Sequence, residues 1–296
     1  MNKVALSLLL LFAIQAISSA QDPLWQGMGR IVYSCDGNEH DNDDWGSSAF
    51  SLALLAAKGL QEHVPLVIYS NHIWGSNHDF PMSFGKSAYE QMRESVLTGG
   101  ELFGFNHTRF LCAVDNAEAS YEALKAEINS SSEDNPLIII SAGPLQVEGE
   151  AVHRADKDKL KWVTIVSHGR ANAYGSISTS SWENHTGWTW DQIKEYAEPE
   201  GMKFFFLPHQ NGGKDYEGLQ TDKNHFDWVI TSKARKNPCY RPGSWDWLYT
   251  RLVVSLRRDG KRFDISDSGL VLYVLTGTWR TNPGMVKEIL ENPVGE

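Results

Sequence analysis

The chain has 296 residues, of which 41% are hydrophobic, with 27 basic and 37 acidic side chains and a formal net charge of −10. This length is enough for one large α/β domain or two small ones. The acidic balance argues against nucleic acid or an anionic membrane as partner, because both require clustered Lys and Arg. Three cysteines allow at most one disulfide and lack zinc-site spacing, so we expect a hydrophobic core to hold the fold. They are Cys35, Cys112 and Cys239.

The first 20 residues have the pattern of a secretory signal peptide. Lys3 supplies a positive charge, residues 4–17 are mostly apolar, and residues 18–20 are small and suited to cleavage. The apolar run is too short for a comfortable membrane span, and no later segment could serve as an anchor. We therefore expect an exported protein, periplasmic or secreted, with no membrane span and a single α/β domain over residues 21–296.

Apolar runs with the length of buried strands recur along the chain, and segments with a helical pattern lie between them. The strand-like runs are residues 30–33, 64–70, 137–141, 162–167 and 203–207. The helical segments are residues 46–58, 85–98, 116–129, 145–155 and 190–196. This alternation predicts an α/β fold with a doubly wound, mostly parallel, Rossmann-like sheet covered on both faces.

The last part of the chain has a different pattern. Residues 211–245 are loop-like, with paired glycines and two prolines, and they predict a lid or an insertion. Helical patterns resume at residues 246–258 and 268–275. They predict a C-terminal helical layer that closes the domain.

The most informative stretch is an acidic run directly after the first strand. It places five acidic side chains within nine residues, namely Asp36, Glu39, Asp41, Asp43 and Asp44. Two acids would suffice to cap the helix that follows and to favour its positive end. Crowded carboxylates repel one another unless a cation lies among them, so five favour a hard divalent ion with oxygen ligands. Ligands of doubly wound folds bind outside the carboxyl ends of the strands, where this run lies.

Two later segments contain candidate ligands for the same ion. Asp267 precedes the apolar helix 268–275, where it is either a helix cap or a distant ligand. The strand 137–141 is followed by Gly143-Pro144, a dipeptide that commonly marks a turn. A backbone carbonyl at such a strand end is also a normal calcium ligand.

Tryptophan and histidine supply further candidates. Trp182, Trp188 and Trp190 lie in or beside a polar loop, where they either pack in the core or stack on a sugar or base. Four histidines follow strand-like runs or lie in nearby loops, and each is either a general acid or a hydrogen-bonding bystander. They are His72, His168, His185 and His209.

On these motifs the chain resembles the nucleoside hydrolase superfamily, of the inosine–uridine-preferring type. It is most similar to an exported bacterial nucleoside-hydrolase-like branch, some members of which are labelled cellulose-binding. The family's Asp-x-Asp-x-Gly-x-Asp-Asp after a strand resembles residues 36–44, and its Thr-Gly-Pro resembles residues 141–145. Its late His-Asp-Pro resembles residues 266–268, and its Glu-x-Asn resembles residues 182–184. The resemblance covers residues 29–277.

The resemblance implies a nucleoside-hydrolase-like fold, a bound Ca²⁺ and a sugar diol that completes the metal shell. The implied metal ligands are Asp36, Asp44, the carbonyl of Ala142 and Asp267. Asp36 or Glu39 is implied as the catalytic group, taking a proton from the water that attacks an anomeric carbon. The implied substrate-binding residues are Asn38, Asp43, Trp182 and Asn184.

The chain departs from the family pattern at two places. The first motif is one residue longer, and its second Asp becomes Asn38 or Glu39, of which Asn38 cannot act as a base. The His of the late motif is Ser266, which removes the family's usual leaving-group acid. Either another residue activates the leaving group, or the leaving group is not a purine.

Two functions follow as expectations. One is an exported Ca²⁺-dependent hydrolase of N-glycosidic, nucleoside-type bonds or of related glycosidic bonds. The other is a non-catalytic saccharide-binding protein on the same scaffold. Both take a sugar-containing small molecule or an oligosaccharide as partner, and both leave open whether the chain forms a homo-oligomer. A phosphoryl-transfer site built on Asp36-x-Asn38 would leave Asp43, Asp44 and Asp267 unexplained.

Overall fold

The computed structural model of the protein describes residues 21–37, 42–73, 85–178 and 187–294. The predicted signal peptide, residues 1–20, lies outside these ranges. Within them, no helix combines the length and the apolar character that crossing a bilayer requires.

One parallel sheet of six strands organises the described chain. The strands are β1 Arg30–Cys35, β2 Leu66–Tyr69, β3 Arg109–Cys112, β4 Leu137–Ala142, β5 Val163–His168 and β6 Lys203–Leu207. Their order is β3-β2-β1-β4-β5-β6, and each neighbouring pair is parallel. The order reverses between β1 and β4, which is where a doubly wound sheet opens a ligand crevice. The predicted doubly wound α/β fold is therefore confirmed.

Helices cover both faces of this sheet. They are α1 Asp43–Ala57, α2 Ala88–Arg93, α3 Gly99–Leu102, α4 Ala117–Asn129, α5 Gln146–Arg154, α6 Arg170–Ser178, α7 Trp190–Ala197, α8 Trp228–Thr231, α9 Ser244–Val254, α10 Ser268–Thr276 and α11 Pro283–Glu291. On one face α1 packs against α9, α10 and α11, and on the other α5 packs between α4 and α7. The C-terminal helices thus form the expected closing layer.

Side-chain alternation along the central strands divides the core in two. In β4, Ile138 and Ile140 join the cluster under α1, whereas Leu137 and Ile139 join the cluster under α5. Every residue of β4 is buried. Because both faces of the strand are covered, its sequence is a continuous apolar run, as expected for a parallel strand.

The edge strand β3 was absent from the predicted elements. It has four residues, of which Arg109 is exposed and only Cys112 is buried. An edge strand needs no continuous apolar run because one side and part of its faces meet solvent. Its pairing with β2 is a tertiary feature that local periodicity does not signal.

The prediction of a lid or insertion at residues 211–245 was wrong for the middle of that range. Phe226, Trp228 and Val229 are buried in the same core as α1, and the Phe226 ring lies 6.4 Å from that of Phe50. Aromatic burial outweighs the Gly and Pro punctuation of the segment.

The predicted helix at 246–258 extended too far. Helix α9 ends at Val254, and the chain then turns into β8 Arg262–Asp264, which pairs antiparallel with β7 Gln220–Asp222. The pairing partner is distant in sequence, so helical propensity alone could not reveal this end.

The three cysteines are free, with Cys35 and Cys112 buried and Cys239 exposed. The hydrophobic core therefore holds the described fold without a disulfide among them.

Candidate metal centre

Three buried aspartates from separate segments meet at the carboxyl edge of the sheet. Asp36, Asp44 and Asp267 each contribute one carboxylate oxygen to a group whose members lie within 4.8 Å of one another. Their relative exposures are 7%, 4% and 7%. Carboxylates this close and this buried repel one another strongly, because little solvent screens them. The arrangement favours a cation among them.

The ends of three elements position these carboxylates. Asp36 directly follows β1, Asp44 is the second residue of α1, and Asp267 precedes the first residue of α10. The start of α1 is anchored by Asn42, whose side-chain amide donates to the carbonyls of Val254 (2.9 Å) and Leu256 (2.8 Å). The segment that follows β1 and the C-terminal helical layer therefore meet at the start of α1.

Helix capping does not account for Asp267. The residue stands at the N-cap of α10, but its own dihedrals are helical and its side chain makes no capping hydrogen bond. Its backbone N–H donates to Ser47 Oγ at 3.2 Å, which ties it to α1. The carboxylate is thus left to contact groups outside its own helix.

The neighbouring acids Asp43 and Asp264 have different partners. Asp43 Oδ2 accepts a hydrogen bond from Ser266 Oγ at 2.9 Å. Asp264 is fully buried and accepts from the Ser266 backbone N–H at 3.1 Å, with Arg257 Nη1 at 3.6 Å. Ser266 therefore links the start of α1 to the segment before α10.

The end of β4 approaches Asp36 through its backbone. The Ala142 carbonyl accepts the Asp36 N–H at 3.2 Å. Gly143 follows, and a Cβ there would lie 2.3 Å from Asn71 Oδ1 and 2.9 Å from the Asp36 nitrogen. A glycine is needed at this position because three strand ends meet there. The Ala142 carbonyl is thereby adjacent to Asp36, and its role as a metal ligand stays a prediction.

The end of β2 adds a buried polar turn. Ser70 has a φ of +53°, a left-handed conformation that a non-glycine residue seldom adopts. Such backbone strain clusters at functional sites, where the surrounding structure enforces it. Asn71 and His72 follow, and all three residues are buried.

A second buried acid lies on the α5 face of the same edge. Glu148 has no exposed surface, and its Oε1 accepts from Ser141 Oγ at 2.9 Å. Burial raises the pKa of its carboxyl, and the hydroxyls of Ser34 and Ser141 offset part of that shift. Ser34 Oγ also accepts from Asn71 Nδ2 at 2.9 Å.

One histidine touches the aspartate group. His168, the last residue of β5, places Nε2 2.7 Å from Asp267 Oδ1, and both residues are buried. The sequence identified His168 only as one of four histidines near strand ends. Its position directly after the strand-like run 162–167 was the available signal.

The donors fit a hard divalent cation. Three carboxylate oxygens with an adjacent backbone carbonyl are the ligand types that Ca²⁺ and Mg²⁺ prefer, and no thiolate accompanies them in the described part of the chain. Asp36, Asp44, Asp267 and the Ala142 carbonyl would hold such an ion.

Comparison with known proteins places the chain in a family. The uncharacterized protein P22 of Formosa agariphila is 30% identical over 294 residues, covering 93% of this chain and 96% of that protein. The chain belongs to the family of protein P22. No family model matches it.

A solved structure is also similar to the chain. The crystal structure of an inosine–uridine preferring nucleoside hydrolase from Bacillus anthracis has a TM-score of 0.42 and 12% identity, over 83% of this chain and 82% of that one. Likeness at this level carries no argument about activity. The fold assignment above rests on the strand order itself.

Several predicted site residues lie outside the described residues. They are Asn38, Glu39, Asp41, Trp182, Asn184 and His185. Asp36 and Asp43 lie at the carboxyl edge as described above, and their predicted catalytic and substrate-binding roles stay predictions.

The two described tryptophans near that loop pack against the protein. Trp188 Nε1 donates to Glu150 at 3.1 Å, and its ring fills the space beside Gly149. Trp190 is buried, with its ring 5.3 Å from that of Phe204. For these two, core packing is the better interpretation.

Proposed function

We propose that the protein is an exported, calcium-dependent hydrolase that cleaves N-glycosidic bonds of the nucleoside type or related glycosidic bonds. The observation that carries the proposal is the buried group Asp36, Asp44 and Asp267, drawn from three segments at the carboxyl edge of the sheet. Its ligand chemistry agrees with the family resemblance of the sequence motifs.

The chain's own residues suit binding a polyol and moving a proton. Bound Ca²⁺ would supply Lewis acidity and a site for sugar hydroxyls. Asp36 directly follows the strand Arg30–Cys35, and we assign to it the acceptance of a proton from the attacking water. Ser266 holds Asp43 at 2.9 Å and so orders the start of α1 beside it. Burial around the group excludes bulk water and strengthens each electrostatic contact.

Leaving-group activation is assigned to a group other than position 266. A serine hydroxyl has too high a pKa to serve as an efficient acid near neutral pH, and Ser266 already donates to Asp43. The site therefore suits a leaving group that departs without full protonation better than one that must first be protonated. Small glycosides with good leaving groups are therefore the first substrates to test.

The decisive experiment combines metal analysis with release assays. Protein recovered from the exported fraction, with its N-terminus sequenced, is dialysed against chelator and titrated with Ca²⁺. Release of base and of reducing sugar is then measured on nucleosides and oligosaccharides. We expect Asp44→Asn to lower metal affinity and turnover by at least about 100-fold, because it removes a charged ligand. The exposed Asp158→Asn is the matched control.

Three outcomes would each contradict part of the proposal. Full turnover by metal-free protein would remove the metal from the reaction. Saturable saccharide binding with no release of base or reducing sugar would instead establish the saccharide-binding alternative. A mature N-terminus before residue 20 would contradict export by cleavage of the signal peptide.

A further inference from the structure

His168 and Asp267 form a buried pair at the edge of the aspartate group. Nε2 of His168 lies 2.7 Å from Asp267 Oδ1, and their side chains are 5% and 10% exposed. This distance is typical of a short, charge-assisted hydrogen bond. Breaking this hydrogen bond is costly, because its buried partners cannot replace it with hydrogen bonds to water.

The pair joins two elements that are distant from each other in sequence. His168 ends β5, and Asp267 precedes α10, which packs on β5 and β4. The Asp267 backbone is fixed separately, since its N–H donates to Ser47 on α1. The main chain of Asp267 is therefore held from one side and its carboxylate from another.

We propose that His168 is a positioning residue that sets the orientation of the Asp267 carboxylate and thereby the cation affinity of the site. The inference rests on the proposed function only in that the three aspartates bind a metal. The N–H at Nε2 donates to Oδ1 and fixes the rotation of the carboxylate toward Asp36 and Asp44. Groups that orient a metal ligand in this way typically change metal affinity by about 10- to 100-fold when removed.

The other nitrogen of His168 agrees with this role. Nδ1 is buried and has no hydrogen-bond partner among the residues that the structure describes. A neutral ring with its proton on Nε2 leaves Nδ1 without a proton, so no donor is stranded there.

The competing interpretation is a purely structural tie between β5 and α10. Such a tie would affect the free energy of unfolding of the metal-free protein and leave the intrinsic cation affinity unchanged. Metal affinity measured on folded protein therefore separates the two roles.

The test compares His168→Gln, His168→Asn and His168→Leu. Glutamine can place an amide N–H near the position of Nε2, asparagine is too short to reach, and leucine has no donor. Each folded variant is titrated with Ca²⁺ by calorimetry and with Tb³⁺ by tryptophan-sensitised luminescence. We expect His168→Leu and His168→Asn to weaken the binding of both cations by about 10- to 100-fold. His168→Gln should weaken it by less than about threefold. The exposed His107→Leu is the control.

Each outcome decides the matter. Equal Ca²⁺ and Tb³⁺ affinity in wild type and His168→Asn, with only the unfolding midpoint changed, would overturn the positioning role and leave the proposed function standing. Absence of cation binding by the wild type would overturn both. If His168→Leu does not fold, the Gln and Asn pair still carries the comparison, because both keep an amide and differ in reach.

Discussion

The carboxyl edge of the sheet contains two buried acidic regions that solve the same electrostatic problem differently. On the α1 face, Asp36, Asp44 and Asp267 crowd together within 4.8 Å. On the α5 face, Glu148 stands among serine hydroxyls, and burial raises the pKa of its carboxyl. A lone buried acid can take up a proton, whereas three clustered acids are better served by a divalent cation. The difference predicts that the first region binds a cation and that the second supports the fold.

Asp267→Asn should produce the largest effect that separates the two regions. Added Ca²⁺ at 100 times its dissociation constant stabilises a binding-competent protein by about 2.7 kcal/mol, which raises Tm by roughly 5 to 10 °C. We expect this rise in wild type and in Glu148→Gln, and its loss in Asp267→Asn. Differential scanning calorimetry with and without Ca²⁺ measures it. An equal rise in Asp267→Asn would place the cation elsewhere.

Glu148→Gln should remove a pH dependence of stability. Because the pKa of Glu148 is raised in the folded state, the folded protein binds more protons than the unfolded chain from about pH 4.5 up to that raised pKa. Wild-type stability therefore falls as pH rises through this window, by up to about 1.4 kcal/mol per pH unit. The difference between Glu148→Gln and wild type should grow with pH in urea unfolding. The exposed Glu101→Gln should track wild type, and a pH-independent difference for Glu148→Gln would contradict the assignment.

Ser141→Ala should have the smallest effect of the three. It removes the 2.9 Å hydrogen bond to Glu148 Oε1, which typically contributes about 1 kcal/mol. Because that hydroxyl favours the charged form, its loss should raise the pKa of Glu148 further and extend the stability slope to higher pH. Ca²⁺ affinity should be unchanged. A weaker Ca²⁺ affinity in Ser141→Ala would mean that the two regions are coupled.

Local sequence was sufficient for the central part of the fold. The buried run Leu137–Ala142 and the helix after the acidic run follow from apolar pattern alone, because both faces of β4 are covered. The edge strand Arg109–Cys112 and the pair β7–β8 did not follow from it. Edge strands and short antiparallel pairs depend on partners that are distant in sequence. Because they have few residues, they show little hydrophobic periodicity.

The candidate site divides in the same way. Asp36 and Asp44 share one acidic run, so their local charge indicated a cation without any structure. Asp267 by itself was better explained as a helix cap. It became a candidate ligand because the acidic run lacked a distant ligand, and the family resemblance then implied the same role. Its contact with His168 spans 99 positions, and that of Ser266 with Asp43 spans 223. No local pattern encodes such pairs.

The sequence by itself determined the chemistry of this edge, because residue types and their crowding fix charge and ligand preference. It also determined the alternation of the central strands and helices through hydrophobic period. Only the tertiary structure decided that Asp267 points away from its own helix toward His168, and that Glu148 is buried among Ser34 and Ser141. Those outcomes depend on which segments the sheet brings side by side. Parallel register and helix packing set them, and neither is written in any one segment.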